Sequence, residues 1–333
     1  MRVNLNNKVY NLFLIIALAL FFSSVSKYVG ADSKFRTALL KKFYIIGTGG
    51  INGVYYSLGS AIARLFNSRM EDILTISEPT NGSVSNIELL RSKEVTLALV
   101  QSDIAYDAYF GKGIFEGKPF PNLRILAALY SESVHLIVLN DSPIKTPLDL
   151  KGKQVSIGEE GSGTALNAKI LLDECGIKST DFHPKFLSLA KATDALKSGY
   201  IDAIFFTGGV PVEGFSLLSN EKPIRLISLP DYNLKIMLDG RPYFTSETIL
   251  AGAYRGVTEN VNTLGLRALL ITTDSFESEK VETILQIIFS NSDYLTSISN
   301  MTESIDLKKA LVGVDSKMLH QAAAAFYKSH GIF

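Results

Sequence analysis

The stretch FYIIGTGGINGVYYSLGSAIARLFN, residues 43–67, sets four glycines within seven residues, Gly47 to Gly53, between an apolar run and a helical pattern. Phe43–Ile46 read as a short buried strand. After the glycines, Val54, Leu58, Ala61, Ile62, Leu65 and Phe66 recur at helical spacing. Arg64 and Arg69 sit near the far end, where cations suit the helix dipole. The stretch therefore predicts strand, glycine loop, helix. Residues 154–176, QVSIGEEGSGTALNAKILLDECG, write the same unit again. Val155–Ile157 form the strand and Gly158–Gly163 the loop, and Thr164 is the expected N-cap. Leu166, Ile170 and Leu171 mark the apolar face, and Gly176 is a natural stop.

The repetition continues downstream. LRSKEVTLALVQ (90–101) and LKSGYIDAIFFT (196–207) align without a gap, each reading as helix end, tight turn and buried strand. Ser85 and Glu88 have capping-box spacing at the start of the first such helix. Ser102 and Asp103 follow the first strand with helix-start chemistry. Gly208, Gly209 and Pro211 follow the second, with Pro211 expected at the first helical position. Alternating strands and helices with short loops predict an α/β fold with mainly parallel sheets.

VHLIVL (134–139) interrupts the two copies, and a similar strand, RALLIT (267–272), follows the second. Leu285, Ile288 and Phe289, and then Met318, Leu319, Ala322, Ala323 and Phe326, mark closing helices. A chain of this length exceeds the usual single core. We expect two lobes: 32–135 plus 262–333, and an inserted 136–261. The two apolar strands would be the crossings between them, the natural place for a hinge. Residues 230–262, polar and rich in Gly, Pro and Tyr, carry no clear pattern.

The first 31 residues are of another kind. Arg2 and Lys8 precede eleven apolar residues, Leu12 to Phe22, and Val29-Gly30-Ala31 offers a small-residue cleavage site. This is the layout of a secretory signal peptide, with an apolar run shorter than the ~20 residues that span a bilayer. An exported mature chain that is not embedded in the membrane is the expectation, with a periplasmic location. The whole chain has 33 basic and 33 acidic residues; without Arg2, Lys8 and Lys27 the mature part has 30 against 33. No basic surplus exists to neutralise nucleic acid. Cys175 is the only cysteine, so no intrachain disulfide can form, and it reads as a small buried hydrophobe. His135, His183, His320 and His330 lack metal-ligand spacing, and neither a metal nor a cofactor is expected.

In an open parallel sheet ligands sit beyond the carboxyl ends of the strands, where helix N-termini carry unpaired N–H groups and partial positive charge. Glycine lets backbone approach closely, so each loop is a candidate anion cradle. Phosphate is not the expected occupant. Neither loop ends in Gly-Lys-Ser or Gly-Lys-Thr, and neither contains Lys or Arg. The dinucleotide pattern fails as well, because its third glycine falls on Asn52. A small carboxylate held by N–H and hydroxyl groups fits better. Tyr55, Tyr56, Gln101, Ser102, Ser162, Thr164 and Thr207 offer neutral hydrogen bonds, a lining suited to reversible capture. Tyr55 and Tyr56 cannot both face inward on one helix, and Asp103 can equally cap a helix. A serine hydrolase is the competing class, because Ser162 lies in a glycine loop and Ser188 and Lys191 have Ser-x-x-Lys spacing. The Gly-x-Ser-x-Gly elbow is missing, and Ser188 reads better as the cap of the helix before Gly199.

IGTGGINGVYYSLG, LALVQSD, GSGT and the Gly-Gly-Val-Pro of 208–211, in this order after a signal peptide, resemble the TAXI-type solute-binding proteins of TRAP transporters. The resemblance implies a two-lobed type II periplasmic-binding-protein fold, each lobe a sheet flanked by helices, with the ligand cleft between them. It also implies capture of glutamate, glutamine or a dicarboxylate such as 2-oxoglutarate, with delivery to a TRAP membrane subunit and no catalysis. A sensor that presents its ligand to a receptor would share the same fold. The matching ligand candidates are Thr48, Gly49, Gly50, Tyr55 and Tyr56, then Gln101 and Asp103, then Gly161, Ser162, Gly163 and Thr164, with Gly209 and Pro211 fainter. Ile51-Asn52 departs from the usual Thr and glycine pair, and Ser57 replaces a common proline. Asn52 tolerates left-handed φ, so the turn can survive with a side chain in the site.

Overall fold

The computed structural model describes residues 42–51, 53–298 and 305–332, so the expected signal peptide and Asn52 lie outside the described residues. The first copy of the unit runs β1 (Lys42–Gly47), α1 (Val54–Arg69), β2 (Ile73–Glu78), α2 (Ser83–Arg91), β3 (Leu97–Gln101) and α3 (Ser102–Phe110). A long strand follows, β4 (Leu123–Leu139). The second copy is β5 (Gln154–Ser156), α4 (Gly163–Glu174), β6 (His183–Lys185), α5 (Leu189–Ser198), β7 (Ala203–Gly208) and α6 (Glu213–Glu221). Then come β8 (Ile224–Leu226), α7 (Asp231–Gly240), β9 (Thr245–Ile249) and a second long strand, β10 (Val261–Thr273). Helices α8 (Ser278–Ser290), α9 (Ser292–Ile298) and α10 (Gln321–Ser329) close the chain.

The strands run in the order β2-β1-β3-β10-β4-β7-β5-β6. Each copy contributes a parallel set: β1 pairs with β2 and β3, and β5 with β6 and β7. The sets are joined by the antiparallel pair β10–β4, which spans Gly265↔Ser133 to Thr273↔Leu123. The result is a two-domain α/β fold on one curled mixed sheet, rather than two separate parallel sheets. The apolar runs expected as crossings, 134–139 and 267–272, are the C-terminal parts of the longer strands β4 and β10. Helix α1 buries Leu58, Ile62 and Phe66 against Tyr44, Leu285 and Ile288, so the closing helices cover the first parallel set. A separate core gathers Val155, Ala168, Leu171, Phe205 and Met237 around the second. Complete burial of a side chain such as Phe66 is worth about 1.5–3 kcal/mol, so these faces hold the helices on the sheet.

The internal repeat holds in detail. Strands β3 and β7 start at aligned positions, Leu97 and Ala203. The aligned turn residues before them, Lys93 and Gly199, both have left-handed φ, 64° and 78°. Several helix starts differ from the pattern. Helix α4 begins one residue before Thr164, and Ser162 is its N-cap, with Oγ accepting from Ala165 N at 3.1 Å. In a Ser-Gly-Thr run either hydroxyl suits the cap, and Thr164 Oγ1 is taken instead by Thr207 N at 3.1 Å. Helix α2 begins at Ser83 behind Gly82, so Ser85 and Glu88 lie inside it and form no capping box. Helix α6 begins at Glu213, two residues beyond Pro211. Asp103 sits in the first turn of α3 rather than at its cap, which is Gln101. Ser188 and Gly199 bracket α5 as expected. Cys175 is half-buried at the end of α4, and burial pushes its thiol up to about 11, outside the reactive range.

Candidate functional site

Both glycine loops border one cavity of about 420 Å³. The first loop is shaped by buried polar side chains. Thr48 Oγ1 donates to Glu78 O at 2.6 Å, and Thr80 Oγ1 donates to Thr48 O at 2.9 Å. Asn86, fully buried, donates from Nδ2 to Thr48 O and Leu99 O at 2.6 and 2.7 Å. A Cβ at Gly59 would meet Thr48 Cγ2 at 2.5 Å, so helix α1 can pack this close to the loop only with glycine there. Gly49, Gly50 and Gly53 then line the cavity, together with Val54 and Tyr55 at the start of α1.

The second loop turns at Gly158 and Gly161, whose φ values of 86° and 80° lie in the left-handed region. It delivers Ser162, Gly163 and Thr164 to the same cavity. Ser162 Oγ caps Ala165 N, leaving the Gly163 and Thr164 amides of the first turn without an intrahelical acceptor. The two copies touch around the cavity. Asn167 Nδ2 on α4 donates to Gln101 Oε1 at the end of β3, 2.9 Å away, and stands 3.3 Å from Thr207 Oγ1 at the end of β7. Ser85 N donates to Gly161 O at 3.4 Å. A Cβ at Gly163 would lie 2.0 Å from Gln101 Oε1, so this close approach requires glycine.

The floor of the cavity is Tyr130 and Glu132, both from β4. Tyr55 Oη donates to Glu132 Oε2 at 2.9 Å. Tyr130 Oη lies near enough to the same carboxylate to feel its charge, yet makes no well-formed hydrogen bond. Burial pushes Glu132 up to about 8; the Tyr55 hydrogen bond opposes that rise, the Asp103 charge adds to it, and Arg267 opposes it. Burial likewise lifts Asp103 to about 8. Glu159, from the second loop, also borders the cavity, and burial raises its carboxyl while Lys191 opposes. No Lys, Arg or His is among the described residues lining it.

The fold that carries this cavity recurs in solved structures. One, a protein of Bordetella bronchiseptica RB50, superposes with a TM-score of 0.56 at 15% identity, covering 87% of this chain and 98% of that one. Another, PhnD1 of Prochlorococcus marinus (MIT 9301) in complex with methylphosphonate, gives 0.52 at 11% identity, covering 88% and 99%. In sequence, 68 residues are 38% identical to a curated Escherichia coli (strain K12) protein named for binding aliphatic sulfonates. That segment is 20% of this chain and spans about a fifth, 21%, of the relative. The description of the NMT1-like family matches residues 46–331. The chain belongs to the NMT1-like family.

In this NMT1-like protein the residues singled out from sequence fall into three groups. Gly49, Gly50, Tyr55, Gln101, Ser162, Gly163, Thr164 and Thr207 line the common cavity. Thr48 lies beneath the first loop as a buried brace, and Gly161 shapes the second. Tyr56, Ser102, Asp103, Gly209 and Pro211 are outside the lining. Ser102 Oγ donates to Tyr243 O at 3.2 Å and accepts from Arg267 N at 3.1 Å, which ties α3 to β10. Only Tyr55 of the tyrosine pair faces the cavity, as one helical face allows. Ser162 Oγ donates to Glu159 O at 2.7 Å and serves as a cap, and no histidine stands with it in the lining to act as a base. Sequence reasoning missed Glu132, Tyr130, Glu159 and Ser156. The available signal was an acid inside an apolar run, LAALYSESVHLIVL, where a carboxyl group is buried only with polar partners.

Proposed function

We propose that this protein is an extracytoplasmic solute-binding protein that captures a small carboxylate between two lobes and hands it to a membrane transporter. The observation carrying this reading is the convergence of two helix N-termini, α1 and α4, with their glycine loops on one cavity between the copies of the unit. Amides and hydroxyls can hold a weakly charged oxyanion without a fixed cation. Membership of the NMT1-like family and the sulfonate in the Escherichia coli relative's name, also a small oxyanion, support it. The lobes are 32–135 with 262–333, and 136–261, hinged where β4 and β10 cross. The quoted motifs favour the TAXI branch, a TRAP-type membrane partner and glutamate, glutamine or a related dicarboxylate as solute. The location is periplasmic, reached through a cleaved N-terminal signal. Among the described residues no helix is long and apolar enough to cross a membrane.

The test is to extract and identify by mass spectrometry whatever small molecule co-purifies, then return it to refolded, ligand-free protein by calorimetric titration. A carboxylate that binds with one-to-one stoichiometry supports the proposal. A refolded protein that binds no amino acid, dicarboxylate or co-purified compound removes it.

A further inference from the structure

The cavity wall carries hydroxyls and acids but no basic side chain among the described residues. Three of these groups are almost wholly buried. Glu132 on β4 is 3% exposed, and its Oε2 accepts from Tyr55 Oη at 2.9 Å. Tyr130 Oη, on a residue 1% exposed, and Ser156 Oγ, on a fully buried residue at the end of β5, have no hydrogen-bond partner. Buried polar groups are normally satisfied, so unmade bonds facing a cavity point to a polar occupant.

The groups around Glu132 decide its charge. Tyr55 reaches it from α1 and Tyr130 from β4 itself, while Asp103 acts on it from α3 and Arg267 from β10. Glu159 shares the cavity from the second loop. Arg267 pairs in register with Ser131, and its Nη1 donates to Ser131 Oγ at 2.7 Å. Neighbouring residues of a strand point to opposite faces, so this cation lies across the sheet from Glu132. An ionised Glu132 would be a buried anion with no cation in its cavity, a costly state. Burial lifts it to about 8, so at neutral pH the acid form prevails. An acid-form carboxyl has one O–H to give and a carbonyl oxygen that accepts. Tyr55 uses the accepting side. The O–H then joins those of Tyr130 and Ser156 on one cavity, a set that suits an acceptor oxygen. Resting on the carboxylate-capture reading above, we infer that Glu132 binds in its acid form, donating to the far oxygen of a solute whose carboxylate sits on the glycine loops, so that solute and one proton are held together. Glutamate, glutamine and 2-oxoglutarate all end in such an oxygen. An ionised Glu132 would face that oxygen as an anion, so alkaline pH weakens capture.

The experiment is calorimetric titration of refolded, ligand-free full-length protein from pH 6.5 to 9. The probes are L-glutamate with 2-oxoglutarate and glutarate, the last two of which do not titrate in that range. Affinity for a bound probe should be about 10-fold weaker at pH 9 than at pH 7, as an acid of about 8 ionises. At pH 9 binding should take up close to one proton per solute, read from buffers of different ionisation enthalpy. Glu132→Gln keeps an accepting oxygen and a donor but cannot ionise, so it should bind within about 3-fold of wild type at pH 7 and lose the pH dependence. Asp103→Asn, which removes the neighbouring acid, should keep it. Thermal melting checks each fold; if Glu132→Gln does not fold, Asp103→Asn and the wild-type proton count decide. Affinity that is flat or rises with pH, or proton release on binding, would overturn the role of Glu132 and leave carboxylate capture standing. A dependence that survives Glu132→Gln or disappears with Asp103→Asn would do the same. No binding of any probe at any pH would overturn both readings.

Discussion

Gly163→Ala isolates the contact between the two copies. The added Cβ would lie 2.0 Å from Gln101 Oε1 and 2.5 Å from Gln101 Cδ, so the amide must move by more than an ångström to reach ordinary contact. Gln101 is 4% exposed, and its Oε1 accepts the 2.9 Å bond from Asn167. Displacing it breaks that bond and leaves a buried amide unsatisfied, which costs about 1–3 kcal/mol. The helix itself is not penalised, because residue 163 is helical and Ala is a good helix former. The cost therefore falls on the contact between the two copies, and so on the fold as well as on the wall of the cavity. The expected result is weaker solute affinity, because the cavity wall moves, together with a stability of the ligand-free protein lower by about 1–3 kcal/mol. Titration calorimetry measures the first quantity and scanning calorimetry the second. Gly176→Ala is the control: its φ of 74° strains an Ala, nothing lies within 4 Å of the added Cβ, and the site is remote. It should lower stability by about 1 kcal/mol without touching affinity. Wild-type affinity in Gly163→Ala would refute the argument that this approach closes the cavity.

Other consequences are as direct. Lys93→Gly removes a left-handed non-glycine residue at the position where the second copy already has Gly199; stability should rise by about 0.5–1 kcal/mol in urea unfolding, with unchanged solute affinity. His135 is fully buried, its ring held between Ser133 O and Tyr254 Oη, and burial lowers it to about 4. Its neutral form is favoured in the fold, so this stability is complete above pH 6.5 and is lost as the pH falls towards 4, by at most about 3 kcal/mol. Glu132 and Asp103, lifted to about 8, act in the opposite sense, favouring the fold at low pH and losing that contribution as the pH rises through 8. Subtracting the pH–stability curve of His135→Asn from that of wild type cancels them and should leave the slope between pH 4 and 6.5; a flat difference contradicts it.

The architecture was legible because it is written twice. The gapless match of 90–101 with 196–207 reaches the left-handed turn residue and the first residue of each strand. The glycine loops were legible for a similar reason, since two close backbone approaches leave four glycines in one stretch and three in the other. Helix starts were less so. Ser-Gly-Thr offers two equivalent caps, and only the partner of Thr164 Oγ1, an amide 43 residues away, decides between them. Strand β4 was half hidden because Ser131, Glu132 and Ser133 break its apolar run, and Glu132 of that break lines the cavity. Helix α7 and strand β9 gave little pattern: α7 buries only Leu234 and Met237, and much of β9 is exposed.

Amides from both copies should hold one solute. The most direct measurement is a crystal structure of the protein with its co-purified ligand. A carboxylate oxygen is expected within about 3 Å of a backbone nitrogen in segment 49–55 or 163–164, with the remainder of the solute reaching the opposite loop. A solute bound outside the cavity, or held by side chains of one copy alone, would contradict it.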